Sequence, residues 1–158
     1  MGKEYYLVFR FYLTKFSDSD DNIISINKAT TSDSQILAVW LNGTIAKENN
    51  TRPLTFCTNF NGNSNDCVTT TTGYPLYQWH WIVIRQTLIG SDYVHQILVS
   101  RKLVRQVVNT FAENYNNATL YASAPWFRAQ AGQIKDYQIF EPGMSLNSTN
   151  EILYLNRR

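Results

Sequence analysis

Charge is what this chain has least of. Only 16% of its 158 residues are Asp, Glu, Lys or Arg, against a usual share of about 25%. The 14 basic and 12 acidic residues leave a net charge of +2. That is no field to draw nucleic acid. Long apolar runs are missing too. The longest, Ile36 to Leu41, is far below the roughly 20 residues of a membrane span, so membrane insertion is not expected. Helical periodicity is scarce, with Thr110–Tyr115 the one short candidate. The bulk of Ala, Glu, Lys and Leu that makes a coiled coil is absent. So is the pairing of low hydrophobicity with high net charge that keeps a chain disordered.

Asn and aromatic residues fill the space that charge leaves. There are 16 Asn, 10 Tyr, 8 Phe and 4 Trp. The length suits one domain, 1–158, able to bury about two thirds of its unfolded surface. Its core is expected over about 4–141, with 142–158 as a C-terminal extension. No apolar stretch of signal-peptide type follows Met1, and the start reads as that of a mature or excised domain.

Period-two patterns dominate. Tyr5, Leu7, Phe9, Phe11 and Leu13 alternate along one face of a strand, with Arg10 on the other. Ile23–Ile26, Gln35–Leu41, Ile45–Lys47, Leu54–Cys57, Cys67–Thr72, Tyr93–Ser100, Leu103–Val108, Thr119–Ala122 and Gln133–Phe140 read as further strands. A tight turn at Asn42-Gly43 is expected to stop one of them. Trp79 to Gln86 is apolar on both faces, as in a central strand under a second layer. Trp79, Trp81 and Val83 are assigned inward. Many short strands with turns every 8–12 residues or so mean a β-sandwich or barrel. Its core is expected to hold Tyr5, Leu7, Phe9, Phe11, Ile24, Ile26, Val39, Trp79, Trp81, Val83, Leu98, Tyr121, Ile134 and Ile139.

Cys57 and Cys67 flank a turn-rich stretch. A bond between them would close a short loop worth about 2–3 kcal/mol. Four Asn-x-Ser/Thr sequons, at Asn42, Asn49, Asn117 and Asn147, mark surface turns suited to N-glycosylation. Together with the cysteine pair they favour an oxidising, extracellular or cell-surface setting.

The segment Leu76 to Phe140 resembles the second half of a laminin G-like domain, of the concanavalin A-like jelly-roll superfamily. Gln78-Trp79-His80-Trp81-Ile82-Val83-Ile84 is similar to its W-h-x-V-x-V strand. Leu120-Tyr121-Ala122-Ser123-Ala124-Pro125-Trp126 and Ala131-Gly132-Gln133-Ile134 through Phe140 are similar to its closing pattern. Ser100-Arg101-Lys102 replaces the family's Asp-Gly turn, and Ala124 stands where Asp is common. Phe9–Leu13, Ile23–Ile26 and Leu37–Gly43 carry the likeness into the first half.

That superfamily includes glycoside hydrolases, which carry acidic residues at alternate strand positions so that two carboxylates flank the scissile bond. No strand here has that pattern, so no catalysis is expected and a hydrolase is the least favoured reading. Laminin G-like domains often hold Ca²⁺ at a rim, and Ca²⁺ takes six to eight or so oxygen ligands. Asp18, Asp20 and Asp21 in one turn, and Asn63 and Asp66 in another, are the weak candidates. No cofactor is required. Trp126, Phe127 and Arg128 pair stacking surface with a planar donor and are candidate ligand-binding residues. Tyr12, Tyr74, Tyr77 and Tyr115 are further surface candidates, and Arg101, Lys102 and Arg105 a small basic patch. The leading reading is a non-catalytic extracellular recognition module for carbohydrate or a protein partner. The alternative is a structural glycoprotein subunit of a self-assembled fibre, coat or matrix.

Overall fold

The computed structural model describes residues 1–30, 34–45 and 50–141, with the side chains of 64 and 65 set aside. Ten strands form an antiparallel two-sheet β-sandwich, five strands to a sheet, the jelly roll that the resemblance implies. They are β1 (Tyr5–Leu13), β2 (Asp21–Asn27), β3 (Gln35–Leu41), β4 (Leu54–Phe60), β5 (Asn63–Thr69), β6 (Trp79–Ile89), β7 (Asp92–Val99), β8 (Lys102–Val108), β9 (Thr119–Tyr121) and β10 (Gly132–Phe140). The first sheet runs β10-β1-β6-β7-β8 and the second β5-β4-β3-β2-β9. Residues 46 and 47 of the strand expected at Ile45–Lys47, the sequon asparagines Asn49 and Asn147, and the extension 142–158 lie outside the described residues.

Between the sheets sit Leu7, Phe9, Phe11 and Leu13 of β1, Ile24 and Ile26 of β2, Leu37, Val39 and Leu41 of β3, and Leu54 and Phe56 of β4. Apolar burial of this kind stabilises by about 25 cal/mol per Å². The phase of β6 is opposite to the sequence expectation. Ile82 and Ile84 enter the core, and Trp79, Trp81 and Val83 face out, although Val83 is buried on that outer face as expected of a core residue. A strand apolar on both faces gives alternation no way to choose a side, and a one-residue change of phase inverts every side chain. Leu98, which pairs with Val83, also faces out and is half-buried; Ile97 and Val99 are its buried neighbours. Tyr121 lies on the outer face of the second sheet. Ile139 points inward, but on edge strand β10 it keeps 39% of its surface exposed.

Turns follow local chemistry. Asn61 and Gly62 both have positive φ, the conformation of a two-residue hairpin turn, and they join β4 to β5. Ser100 and Arg101 play the same part between β7 and β8 without a glycine. β3 ends at Leu41 as expected, but Asn42-Gly43 is not a two-residue hairpin turn, since β4, its antiparallel partner, begins only at Leu54. The Asn42 side-chain Oδ1 accepts from the Thr44 N–H at 3.1 Å, the Thr44 hydroxyl at 3.0 Å and the Ile45 N–H at 2.9 Å, a local alternative to the sheet ladder. Thr110–Tyr115 forms no helix.

Candidate functional site

The outward half of β1 supplies Tyr6, Val8, Arg10 and Tyr12, because Leu7, Phe9 and Phe11 take the core. Register sets these against Arg85, Val83, Trp81 and Trp79 of β6 on one side. On the other side stand Phe140, Gln138, Lys135 and Gln133 of β10. The result is a band of rings and cations across three strands. Trp79 packs against Tyr12 at 5.1 Å, and Tyr12 against Tyr77 at 6.4 Å. The Arg10 guanidinium lies 5.5 Å from the Trp79 ring and 5.0 Å from the Trp81 ring. Lys135 Nζ sits 4.3 Å from Trp79. Cation–π attraction of this kind is worth about 0.5–1 kcal/mol at exposed sites. Further along, Tyr6 stacks on Phe140 at 4.9 Å.

Backbone irregularity aims two members of this face. The β1–β10 register slips between Val8 and Arg10, and Asp136 in the resulting bulge has φ 53. The bulge delivers the Asp136 carboxylate to Arg10 as an ion pair. Bulges often re-aim side chains in this way. Tyr77 has φ 61, its N–H donates to the Leu13 carbonyl at 2.9 Å, and it is 66% exposed. A bulky residue in the left-handed region is strained, and here that strain holds a phenol in solvent.

The sequence candidates on the opposite sheet come together differently. After β9 the chain returns alongside β2 in a parallel bridge at Asn22 and Ala129, pinned by Asn22 N–H to the Arg128 carbonyl at 2.8 Å and Gln130 N–H to the Asn22 carbonyl at 3.0 Å. Trp126 is half-buried, 5.3 Å from Tyr121 and 6.2 Å from Phe127; Phe127 meets Trp40 at 4.6 Å. The Trp126 indole nitrogen is buried without a partner among the described residues. Arg128 is exposed. Its Nε lies 3.2 Å from Asp21 Oδ1 without hydrogen-bond alignment, and its Nη1 donates to Ser19 Oγ at 3.0 Å. These residues form a packed strip, with the exposed Arg128 guanidinium tied to Asp21 and Ser19.

The acidic candidates are kept apart. Asp20 accepts from the Gly43 N–H at 2.9 Å, and Asp21 pairs with Arg128; Asp18 is exposed in the same turn. Asn63 and Asp66 lie on β5, with β4 and β3 between them and β2. Asp66 takes both arms of Arg105, at 2.9 and 2.6 Å. Among the described residues no group of three or more His, Cys, Asp or Glu is arranged to hold a metal. Arg105 is thus drawn out of the small basic patch, and Lys102 Nζ donates to Thr72 Oγ1 at 3.3 Å. Of the tyrosine candidates, Tyr12 and Tyr77 join the aromatic face, whereas Tyr74 and Tyr115 are buried.

Cys57 and Cys67 are bonded across β4 and β5 as a directly opposed pair. Asn42 is half-buried at the end of β3, and Asn117 is exposed with φ 58. His80 faces inward between Phe11 at 5.3 Å and Tyr74 at 5.1 Å, and burial lowers its pKa. His95 lies between the sheets, 4.4 Å from the Phe60 ring and 6.3 Å from Tyr5. Burial lowers its pKa to about 3, Arg105 adding to the effect and Asp66 opposing it.

The sequence reading missed the aromatic face because it assigned Trp79 and Trp81 to the core. The strand itself held no signal: both its halves are apolar, and only its pairing with β1, whose outward half carries Arg10, sets the phase.

No family model matches the chain, and no curated protein matches it in sequence. Solved structures do match its fold. A putative carbohydrate binding protein from Bacteroides ovatus superposes over 87% of this chain with a TM-score of 0.61 and 9% identity. The receptor binding domain of botulinum neurotoxin type G covers 96% with a TM-score of 0.58 and 16% identity. The alginate lyase AlyC3, solved in complex with dimannuronate, covers 88% with a TM-score of 0.51 and 12% identity. The chain spans only 37%, 38% and 65% of those three. The likeness is one of fold, a jelly-roll β-sandwich.

Proposed function

We propose that the chain is a non-catalytic, extracellular carbohydrate-recognition module of laminin G-like type, and that sugar binds on the outer face of the β10-β1-β6-β7-β8 sheet. The observation that carries this is the cluster of Tyr12, Tyr77 and Trp79 beside Arg10, Lys135 and Asp136. Rings offer flat apolar area to the C–H face of a sugar, and the charged groups supply oriented hydrogen bonds to hydroxyls. A sheet face places them on rigid strands, so little ordering is lost on binding. A disulfide among the described residues supports an oxidising compartment. That a putative carbohydrate binding protein and a receptor binding domain share the fold supports a binding role. Because a lyase shares it as well, the test carries a turnover arm.

The test is a glycan array probed with the native protein, Trp79→Ala and Trp126→Ala, followed by incubation of each bound glycan with the protein. Binding that falls at least tenfold in Trp79→Ala and persists in Trp126→Ala, with no change in glycan mass, is the expected result. Loss confined to Trp126→Ala moves the site to the other sheet, and glycan cleavage overturns the non-catalytic reading.

The structural-subunit reading draws on Ile89 and Phe111, 61% and 57% exposed. Light scattering checks it: concentration-dependent assembly without glycan binding would favour it over recognition.

A further inference from the structure

Charge around Trp79 does not balance. Arg10 and Lys135 stand directly opposite each other in the β1–β10 ladder, and like charges so placed repel. The Asp136 carboxylate pairs with Arg10. Lys135 has no ion-pair partner among the described residues. Its ammonium lies instead over the Trp79 ring, 4.3 Å from the centroid. The Arg10 guanidinium lies 5.5 Å from the same ring. Trp79 therefore borders two cations, and one carboxylate compensates only one of them.

An ammonium over a ring also covers it. A sugar stacks on that face of Trp79 only once Lys135 has moved aside. What moves it follows from relative strengths. Cation–π attraction at an exposed site is worth less than a hydrogen bond from an ammonium to an oxyanion. Lys135 is exposed on edge strand β10, and its flexible stem lets the ammonium swing without backbone movement. A neutral sugar displaces the ammonium with only hydroxyls to offer in return. An acidic sugar replaces the ring contact by a stronger one, cancels the unmatched charge and bares the ring in the same step.

We infer that Lys135 is a cap on Trp79 that an acidic sugar lifts, so that the face selects glycans bearing a carboxylate or a sulfate over their neutral counterparts. The inference rests on the reading that the aromatic face binds carbohydrate. Lys135→Met keeps an unbranched stem and removes the charge. Because the position is exposed, the substitution leaves the core untouched.

The experiment is a glycan array printed in matched sets: a neutral chain, the same chain carrying a uronate, and the same chain carrying an O-sulfate. It is probed at low and physiological salt with the native protein, Lys135→Met and Trp79→Ala. The native protein is expected to bind an acidic member at least about tenfold more strongly than the neutral one, the worth of one hydrogen bond to a charged group. That preference should shrink as salt rises, and the acidic member that leads identifies the oxyanion. Lys135→Met should bind all members of a set alike, while Trp79→Ala loses every member. In the native protein the Lys135 ε-CH₂ protons, shifted upfield by the Trp79 ring current, should return toward their ordinary position when the leading acidic glycan is added. A lysine that merely packs on the ring would keep its shift. Equal binding of neutral and acidic members by the native protein, or a preference that survives in Lys135→Met, overturns the inference and leaves the aromatic-face reading standing. Binding of no glycan by the native protein overturns both.

Discussion

Trp79 and Trp126 are both half-buried, on opposite sheets, and their substitution separates ligand contact from packing. Trp126 is wedged between Tyr121 and Phe127. Trp126→Ala is expected to cost about 2–3 kcal/mol, below the range for fully buried Trp because the ring is half-exposed. Urea denaturation reads this directly, and an unchanged midpoint would show that the ring is not structural. Trp79→Ala removes a ring from the outer face and should cost less than about 1.5 kcal/mol on the same assay. His95 gives a pH signature. Its folded pKa is about 3, whereas an unfolded histidine titrates near 6.5, or about that value. Between these limits the unfolded chain binds the extra proton, so stability falls as pH drops from about 6.5 toward 3 and is unaffected above that window. The slope contributed is at most about 1.4 kcal/mol per pH unit. His95→Gln should flatten the acid limb of a stability–pH curve, and an unchanged slope would show that His95 protonates freely in the folded state.

At the scale of elements, the strand alternation in β1 identified its buried face correctly, because five apolar residues share one side and Arg10 marks the other. The same reasoning failed in β6, where both sides are apolar and only the partner strand decides. Bulges are also invisible to a period-two reading. Asp136 was legible as part of a strand, but its delivery to Arg10 depends on a register slip that only the β1 pairing creates. Gly132 makes the same ladder possible at its far end, where an added Cβ would stand 2.0 Å from the Tyr12 carbonyl oxygen. Gly132→Ala must push β10 from β1, and a loss of at least about 2 kcal/mol is expected, within the range for overpacking. It should also weaken glycan binding, since Tyr12 and Lys135 are set by that register. On the opposite sheet the disulfide holds edge strand β5 to β4. Replacing Cys57 and Cys67 by Ser is expected to cost about 2–3 kcal/mol, read by thermal denaturation. Glycan binding should survive where the fold does, because the bridge is on the other sheet.

Across the whole molecule, the sandwich was legible because many short alternating strands, turn residues and scarce charge admit few other architectures. The cysteine pair was legible for a related reason: a turn-rich stretch between two strands brings its ends together. The candidate site was not, because it is assembled from β1, β6, β10 and Tyr77, two residues before β6, and the three strands are far apart in sequence. Tyr12 and Tyr77 were recognised only as separate surface rings, and Trp79 was placed inside. The four tryptophans now divide evenly by sheet, with Trp79 and Trp81 on the face proposed to bind sugar and Trp40 and Trp126 on the other. Their indole N–H signals make a direct probe. Titrating ¹⁵N-labelled protein with the strongest array glycan, and following the four indole cross-peaks, should shift Trp79 and Trp81 and leave Trp40 and Trp126 in place. Shifts at Trp40 and Trp126 with Trp79 unmoved would contradict the account.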